Sequence, residues 1–509
     1  MAGRSIAYSR LFILFQALWV LPAVQPASAQ VPLPPNFISA DVPHDVPSGR
    51  SASIQDLAIF AWREFIALNW VAMDPATTGT RGRPNVNIDF LSVKADKNGN
   101  FPLLVWHTYR HKNELFPAAP AQTDPNFDSR MPTYKYMFPA TAGPNATLNF
   151  FNNLDETSEI GLCLMYAHYT SPTNKIRVAY EAKVSRTEFD YANKNNLTKP
   201  DSGYMTLTNA LTKTRDNLAQ HGGICSTDPS IVSLPCGDAA VAGDAGEGAI
   251  EIKAAWRQLT AQETASGRFF TQTVIFYTGP QFSAKYNNAV YGLVALHIIH
   301  KTISFPAFVF ATWEQVDNYD DATNQNTEDL TFNNIMPPPS QLPNIPVTRA
   351  HSIHSQIPPV NDAVHAAFTA KDPTTIWQYY KLIGVQATPV SGPPFPTPPD
   401  DRSYYYLANI VVETNQTLQN FFGTAGTPPL GLVTPFPNVY LNGATGSPFQ
   451  MGGCQGCHGA TAQSRGGDMS VLIAGAPFNN NNLTPESIDA DEAAALKSYL
   501  QRSNTVTRP

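Results

Sequence analysis

The chain has 509 residues, with 33 Lys and Arg against 40 Asp and Glu and a formal net charge of −7 at pH 7. This acidic balance argues against nucleic acid as a partner and is compatible with docking to a basic protein. The length is sufficient for two to four domains with buried cores.

The first segment has the pattern of a secretory signal peptide. Two arginines precede an apolar run at residues 11–24, and a small-x-small cleavage site precedes Gln30. The run is shorter than the roughly twenty apolar residues that a membrane-spanning helix needs, and no later segment supplies them. We therefore predict a signal peptide at residues 1–29, a mature chain of charge −9 without a membrane span, and a periplasmic or secreted location.

The next part, residues 30–386, is predicted to be a large mixed body that begins with a Pro-rich arm. Apolar residues at helical spacing predict a helix over residues 54–71, a helical patch over 207–218 and a helix over 357–386. Segments rich in Val, Ile, Phe or Tyr predict strands at residues 103–106, 176–182, 249–255, 269–277 and 291–299. The predicted fold class is therefore α+β.

Three of the five cysteines lie in this body. Cys225 and Cys236 are close in sequence, with prolines between them, and in an oxidising compartment they could form a disulfide. We predict that pair, with Cys163 as a buried thiol, although spacing alone does not fix connectivity.

A second, shorter part follows the body. Residues 387–403 are rich in proline and predict an extended linker or surface loop. Residues 404–509 are predicted to be a mostly α-helical segment, with one helix over 404–420 and another that begins near Thr484.

The C-terminal segment contains the sequence Cys454-Gln455-Gly456-Cys457-His458, a C-x-x-C-H motif. This spacing lets two thiols bond to the two vinyl groups of a haem, with His458 as the proximal iron ligand. The alternatives are a redox dithiol and half of a zinc site. No second C-x-x-C is present for zinc, and a redox dithiol is expected to open a helix after a strand, whereas Gly-rich residues precede this motif. We predict one covalent haem c.

The segment around the motif resembles a shortened class I cytochrome c, a family in which a Met downstream of the motif binds the iron. The resemblance indicates Met469 as a possible axial ligand, because it is the single Met after the motif. It lies eleven residues beyond His458, and 51 residues follow that histidine, which is short for the usual wrapping of chain around the haem. A histidine of the body, Met451 and an open sixth position remain alternatives.

Most of the chain, from about residue 55 to 475, resembles secreted bacterial proteins described as cytochrome c family proteins. The resemblance implies one continuous architecture and one c-type haem, and it implies no particular reaction. The matching stretches are residues 62–70, 252–256, 292–302, 311–318, 377–380, 407–409 with 413–414, and the haem motif.

Polar residues lie among the tryptophans of these stretches and would be costly to bury without partners. They form either a buried ion-pair network or the lining of a pocket above the haem. These residues are Arg63, Glu64, Asn69, Lys253, His297, His300, Lys301 and Glu314.

Two functions are compatible with the sequence. The first is one-electron transfer by a periplasmic mono-haem cytochrome that docks with a redox partner protein. The alternative is a haem-dependent peroxidase or oxygenase with a small-molecule substrate and an open sixth position, for which His297, His300 and His107 are candidate acid–base groups. A haem-based sensor is a third hypothesis, weakened by the lack of a recognisable signalling segment.

Overall fold

A computed structural model provides the structure of the protein. It describes residues 31–157, 163–171, 174–200, 204–243, 246–319, 331–334, 345–347, 349, 352–390, 404–413, 436–442, 448–476 and 484–488. The predicted signal peptide and most of the Pro-rich linker lie outside these ranges. No helix among the described residues is long and apolar enough to cross a membrane.

The described helices range from one turn to four. They are α1 (Ile54–Leu68), α2 (Pro75–Thr78), α3 (Lys112–Leu115), α4 (Arg186–Lys194), α5 (Met205–Arg215), α6 (Leu218–His221), α7 (Ala261–Ser266), α8 (Ile357–Lys371), α9 (Gly453–Thr461) and α10 (Val471–Gly475).

The described strands belong to three sheets. They are β1 (Arg110–His111), β2 (Thr141–Ala142), β3 (Asn153–Leu154), β4 (Cys163–Ser171), β5 (Asn174–Arg177), β6 (Ala179–Val184), β7 (Ile250–Arg257), β8 (Thr271–Thr278), β9 (Lys285–His300), β10 (Val309–Gln315), β11 (Thr331–Asn334), β12 (Ile345–Pro346), β13 (Tyr380–Gln386), β14 (Phe436–Tyr440) and β15 (Pro448–Met451).

The main sheet has nine strands and mixed pairing. Its principal order is β1-β6-β7-β9-β10-β13, all antiparallel, and the short strands β2 and β3 add parallel pairs. The long strand β9 pairs with β8 along its first half and with both β7 and β10 along its second half. Strand β9 is therefore the centre of the sheet, and its second half is covered on both edges.

Helix α1 packs against one face of this sheet. It begins with a capping box, in which the Ser53 side chain accepts from the backbone of Asp56 and Asp56 accepts from the backbone of Ser53. Its aromatic side is buried, with the Phe65 ring 5.1 Å from the Trp313 ring of β10. This face of the sheet forms the aromatic core of the body.

The described helices and strands confirm the α+β class and most of the predicted elements. The predicted helices over 54–71 and 207–218 correspond to α1 and to α5 with α6. Four predicted strands correspond to β5 with β6, to β7, to β8 and to β9. The cross-link Cys225–Cys236 is present as predicted, and disulfides persist mainly outside the cytosol. The side chain of Cys163, at the start of β4, lies outside the described residues.

Three element predictions before residue 414 were wrong. Residues 103–106 form no strand, and Leu104 makes only an isolated bridge with Val71. The helix predicted over 357–386 ends at Lys371, and β13 follows it. Residues 407–413 are not helical either, and side chains bind their backbone N–H groups: Glu314 of β10 accepts from Ile410 N at 3.0 Å, and Asn409 accepts from Val411 N at 3.0 Å. Residues 414–420 of that predicted helix lie outside the described residues.

The C-terminal segment contains strands as well as helices, and its described residues pack against the body. Strands β14 and β15 form a hairpin that leads into α9, and the five described residues from Thr484 show no helix. Buried residues of this segment, including Leu407, Met451 and Ile473, belong to the same hydrophobic cluster as α1 and β10. The predicted boundary at residue 387 therefore does not interrupt the core.

Candidate functional site

The C-x-x-C-H motif lies on the first turns of α9, immediately after β15. Cys454, Cys457 and His458 are at positions i, i+3 and i+4 of the helix, so their side chains share one helical face. The motif does open a helix after a strand, and our argument against a redox dithiol from the preceding glycines was therefore wrong.

The environment of the two thiols distinguishes a haem attachment site from a redox dithiol better than the position of the motif on the helix does. Neither Cys454 nor Cys457 takes part in a disulfide, and Cys454 is only 7% exposed. Burial and the nearby Glu413 carboxylate raise the pKa of Cys454 well above its usual value. A redox dithiol attacks as a thiolate with a lowered pKa. The environment of Cys454 does not favour that chemistry.

His458 is oriented by a backbone carbonyl. Its Nδ1 is 2.6 Å from Met469 O, and because a carbonyl only accepts, Nδ1 carries the proton and donates it. Nε2 therefore holds the lone pair. Burial lowers the pKa of His458 to about 4, so the imidazole is neutral. A neutral imidazole whose other nitrogen donates to a carbonyl is the usual form of a metal-ligating histidine.

The carbonyl of Met469 is held in place by its neighbour. Asp468 adopts the left-handed region at φ +59°, and its carboxylate pairs with Lys301 Nζ at the end of β9. The same carboxylate accepts from Leu234 N at 2.9 Å. The Lys–Asp pair is buried, so the turn before α10 is anchored directly to the body.

Close contacts dock the motif helix onto the sheet. Gln455 N donates to Gln386 Oε1 at 2.9 Å, and Gln455 Nε2 donates to the carbonyl of Ala307 at 3.1 Å. Gly453 has φ +66°, and a Cβ there would lie 2.5 Å from Gln386 Nε2. Only glycine fits this position, which fixes how closely α9 approaches β13.

One face of the main sheet points toward the motif. In the sheet register Lys253 of β7 and Thr312 of β10 both lie opposite His297 of β9, so the three side chains share a face. Phe310 lies two residues from Thr312 and has the same orientation. The Phe310 ring is 4.8 Å from the His458 ring. We call this set of four sheet residues the motif-side face.

His297 is one of the two titratable groups of the motif-side face, with Lys253. Its Nε2 is 3.4 Å from Glu413 Oε1 but is not placed for a hydrogen bond. Burial, followed by the charges of Lys253 and His458, lowers the pKa of His297 to about 3. The imidazole is therefore neutral, and it lies within electrostatic range of His458.

The other predicted histidines are not at the motif. His300 faces the opposite side of the sheet, where its Nδ1 is 2.5 Å from Glu64 Oε1 in the aromatic core. His107 is buried beside Trp106, with its ring centroid 5.9 Å from that of Trp256. His297 and His300 lie on opposite faces of β9, as predicted for two residues three positions apart on a strand.

Most of the polar residues found among the tryptophans have side-chain partners in the structure, and three of the pairs, those of Lys253, Lys301 and Glu314, are ionic. Their partners are Glu64 with His300, Asn69 with Trp106, Lys253 with Glu156, Lys301 with Asp468, and Glu314 with Arg349. His297 is the member that lies at the motif.

The candidate methionine ligands also have defined positions. Met469 is fully buried, and its carbonyl lies on the Nδ1 side of His458, whereas iron binds at Nε2. Met451 Sδ is 3.4 Å from Val390 N and accepts its hydrogen bond. Neither observation places a methionine sulfur on the Nε2 side of His458.

Several site residues have no signal in the sequence. Glu413, Phe310 and Asp468 reach the motif through the register of β9 and β10 and through a tight turn, neither of which one sequence specifies. Nothing in the sequence distinguishes Gln386 and Gln455 from other polar residues, because only the structure shows that their hydrogen bond joins β13 to α9.

The donor set fits a c-type haem, with two unoxidised thiols and one neutral Nε2 on a single helical face. Among the described ranges there is no group of three or more His, Cys, Asp or Glu side chains that could hold a bare metal ion. A haem iron needs fewer ligands from the protein than a bare metal ion does, since the porphyrin supplies four nitrogens. Comparisons of the chain with family models, curated proteins and solved structures found no match.

Proposed function

We propose that Cys454 and Cys457 bind one haem c covalently and that His458 is its proximal ligand. Each thiol adds its S–H bond across one vinyl group, sulfur to one carbon and hydrogen to the other, so no oxidant or reductant is consumed. The observation that carries the proposal is the hydrogen bond from His458 Nδ1 to Met469 O, which leaves a neutral Nε2 as the ligand atom.

We infer further that the protein is a mono-haem cytochrome that transfers single electrons in the periplasm or after secretion. Bound haem supplies one-electron chemistry, and the chain supplies a buried, rigid attachment site. The signal-like first segment, the disulfide and the resemblance to the cytochrome c family support this inference. The acidic charge favours a basic redox partner protein.

A haem-dependent peroxidase or oxygenase is the second candidate, and the pair His297–Glu413 is the observation that favours it. The His297 imidazole, with Nε2 3.4 Å from Glu413 Oε1, lies beside a carboxylate, and these are the two kinds of side chain that most often serve as acid and base. This function requires the sixth coordination position to be open.

Covalent attachment can be tested by expression with a cytochrome c maturation system. We expect Cys457→Ala to lose most covalent haem, because one of the two thioether bonds cannot form. The double variant Cys225→Ala/Cys236→Ala is the matched control, since it also removes cysteines but should keep the haem. Haem staining after denaturing electrophoresis measures both. Wild-type protein without covalent haem would contradict the proposal.

Carbon monoxide added to the reduced, purified wild-type protein separates the two functions. An electron-transfer cytochrome holds the iron with two protein ligands, so we expect the visible spectrum to stay unchanged. Rapid binding would reject the first function in favour of the peroxidase or oxygenase.

A further inference from the structure

His297 has a buried nitrogen that the fold leaves unsatisfied. Its side chain is 12% exposed, and Nε2 has no hydrogen-bond partner among the described residues. An unpaired polar atom in a protein interior costs on the order of 1–3 kcal/mol. Such atoms call for an explanation, and a ligand that the nitrogen binds is one.

The sheet register places this nitrogen near the haem motif. His297 is opposite Thr312, and Phe310 is a diagonal neighbour on the same face, where residues are typically about 7–8 Å apart and within reach of an aromatic side chain. Phe310 in turn contacts the His458 ring. Glu413, beside His297, is close enough to Cys454 to affect its thiol. His297 is thus near both the proximal histidine and one attachment cysteine.

His107 and His300 also have a buried Nε2 without a hydrogen-bond partner, but neither belongs to the motif-side face, and the other candidates nearby have contacts of their own. His300 is paired with Glu64, His111 Nε2 is 3.1 Å from Asn153 O, and His365 Nε2 is 2.7 Å from Tyr380 O. Met451 accepts from a backbone N–H, and the backbone of Met469 lies on the Nδ1 side of His458.

We propose that His297 Nε2 is the sixth ligand of the haem that His458 holds. The inference rests on the proposed function, because it requires the covalent haem. Its two axial ligands then come from different parts of the fold, one from the central strand β9 and one from helix α9. Two imidazoles give a lower reduction potential than an imidazole with a methionine, so we expect a low-potential electron carrier.

The test uses holoprotein purified after maturation in cells. Wild-type protein should be low-spin in both oxidation states, and its near-infrared magnetic circular dichroism should show two nitrogen ligands. In His297→Gly the iron should become high-spin, and the reduced variant should bind carbon monoxide. Added imidazole should restore the low-spin spectrum, a rescue that a merely structural role of His297 would not produce.

His168→Gly is the matched control. His168 is on β4, its Nε2 is 3.1 Å from Glu263 Oε1, and its φ of +51° suits glycine. This variant should keep the wild-type spectrum.

The outcomes separate the two proposals. Wild-type protein that lacks covalent haem rejects the proposed function itself. Wild-type holoprotein that is high-spin, or a low-spin spectrum with a sulfur ligand, overturns the assignment of His297 alone, as does a low-spin His297→Gly holoprotein. If His297→Gly does not accumulate, the wild-type dichroism spectrum still decides, and His297→Met should stay low-spin with a raised potential.

Discussion

His297 and His300 are three residues apart on the same strand, yet their surroundings differ completely. His300 Nδ1 lies 2.5 Å from Glu64 Oε1, and neither side chain is exposed. Burial raises the pKa of Glu64 well above 4.5 and lowers the pKa of His300 to about 3. Both shifts favour the uncharged form, so we expect the folded pair to share one proton, held by the carboxyl group, with no net charge.

This shared proton predicts a pH dependence of stability. Unfolded glutamate and histidine titrate near 4.5 and 6.5. Between these values, and below the raised pKa of Glu64, both states bind one proton, so the pair adds no slope. From pH 6.5 up to the raised pKa of Glu64, the folded state holds one proton more than the unfolded state, and stability falls as pH rises. Below pH 4.5 the unfolded state binds a second proton and stability falls as pH drops.

Glu64→Gln isolates the carboxyl contribution, because the amide can still donate to His300 but cannot titrate. We expect the free energy of unfolding of the wild-type protein, relative to this variant, to fall from pH 4.5 upward. The slope should be at most about 1.4 kcal/mol per pH unit, until the raised pKa of Glu64 is passed. Denaturant unfolding across pH measures it, and a pH-independent difference would reject the shared proton.

Among the elements, the turn before α10 has the clearest effect on the site. It presents the Met469 carbonyl to His458, and the buried pair of Lys301 with Asp468 anchors it. Asp468→Asn should destabilise the protein by about 3–5 kcal/mol, because it leaves the Lys301 ammonium buried without an anion. It should also shift the reduction potential of the holoprotein, since His458 loses its fixed carbonyl partner.

The double variant Lys301→Met/Asp468→Asn provides the control. Removing both charges should recover most of the stability measured by denaturant unfolding, while the shift in potential persists. Equal stability of wild-type and Asp468→Asn proteins would show that the pair does not anchor the turn.

The local pattern of apolar and polar residues predicted most of the helices and strands, and the wrong predictions have physical causes. Strand β13 was predicted as helix because both of its faces are buried, so the apolar run lacks the alternation of a half-exposed strand. The motif residues could be named because thioether chemistry fixes their spacing. The partner of His458 could not, since a backbone carbonyl has no side-chain identity and tertiary register alone brings it there.

At the scale of the whole molecule, the body and the described part of the C-terminal segment share one core. Gln386 Nε2 donates to Tyr405 O at 2.8 Å, while Leu407 packs against the sheet where Gly384 provides space. A chain ending at residue 403 would expose this surface. We expect it to unfold at a lower temperature than the full chain and to bind a hydrophobic dye.

Supplying residues 404–509 as a separate chain should restore part of that stability, because the missing surface is then covered again. Cooperative melting of the truncated chain at the full-length temperature would instead show two independent units. Differential scanning calorimetry distinguishes these results.

The burial of Cys454 also has a consequence for the order of events during biogenesis. Once α9 has docked, this thiol is only 7% exposed and Gln455 beside it is fully buried. If the proposed haem is attached by an enzyme that has to reach this thiol, attachment must precede the docking of α9. Final assembly of the protein would then serve as a checkpoint that follows haem attachment.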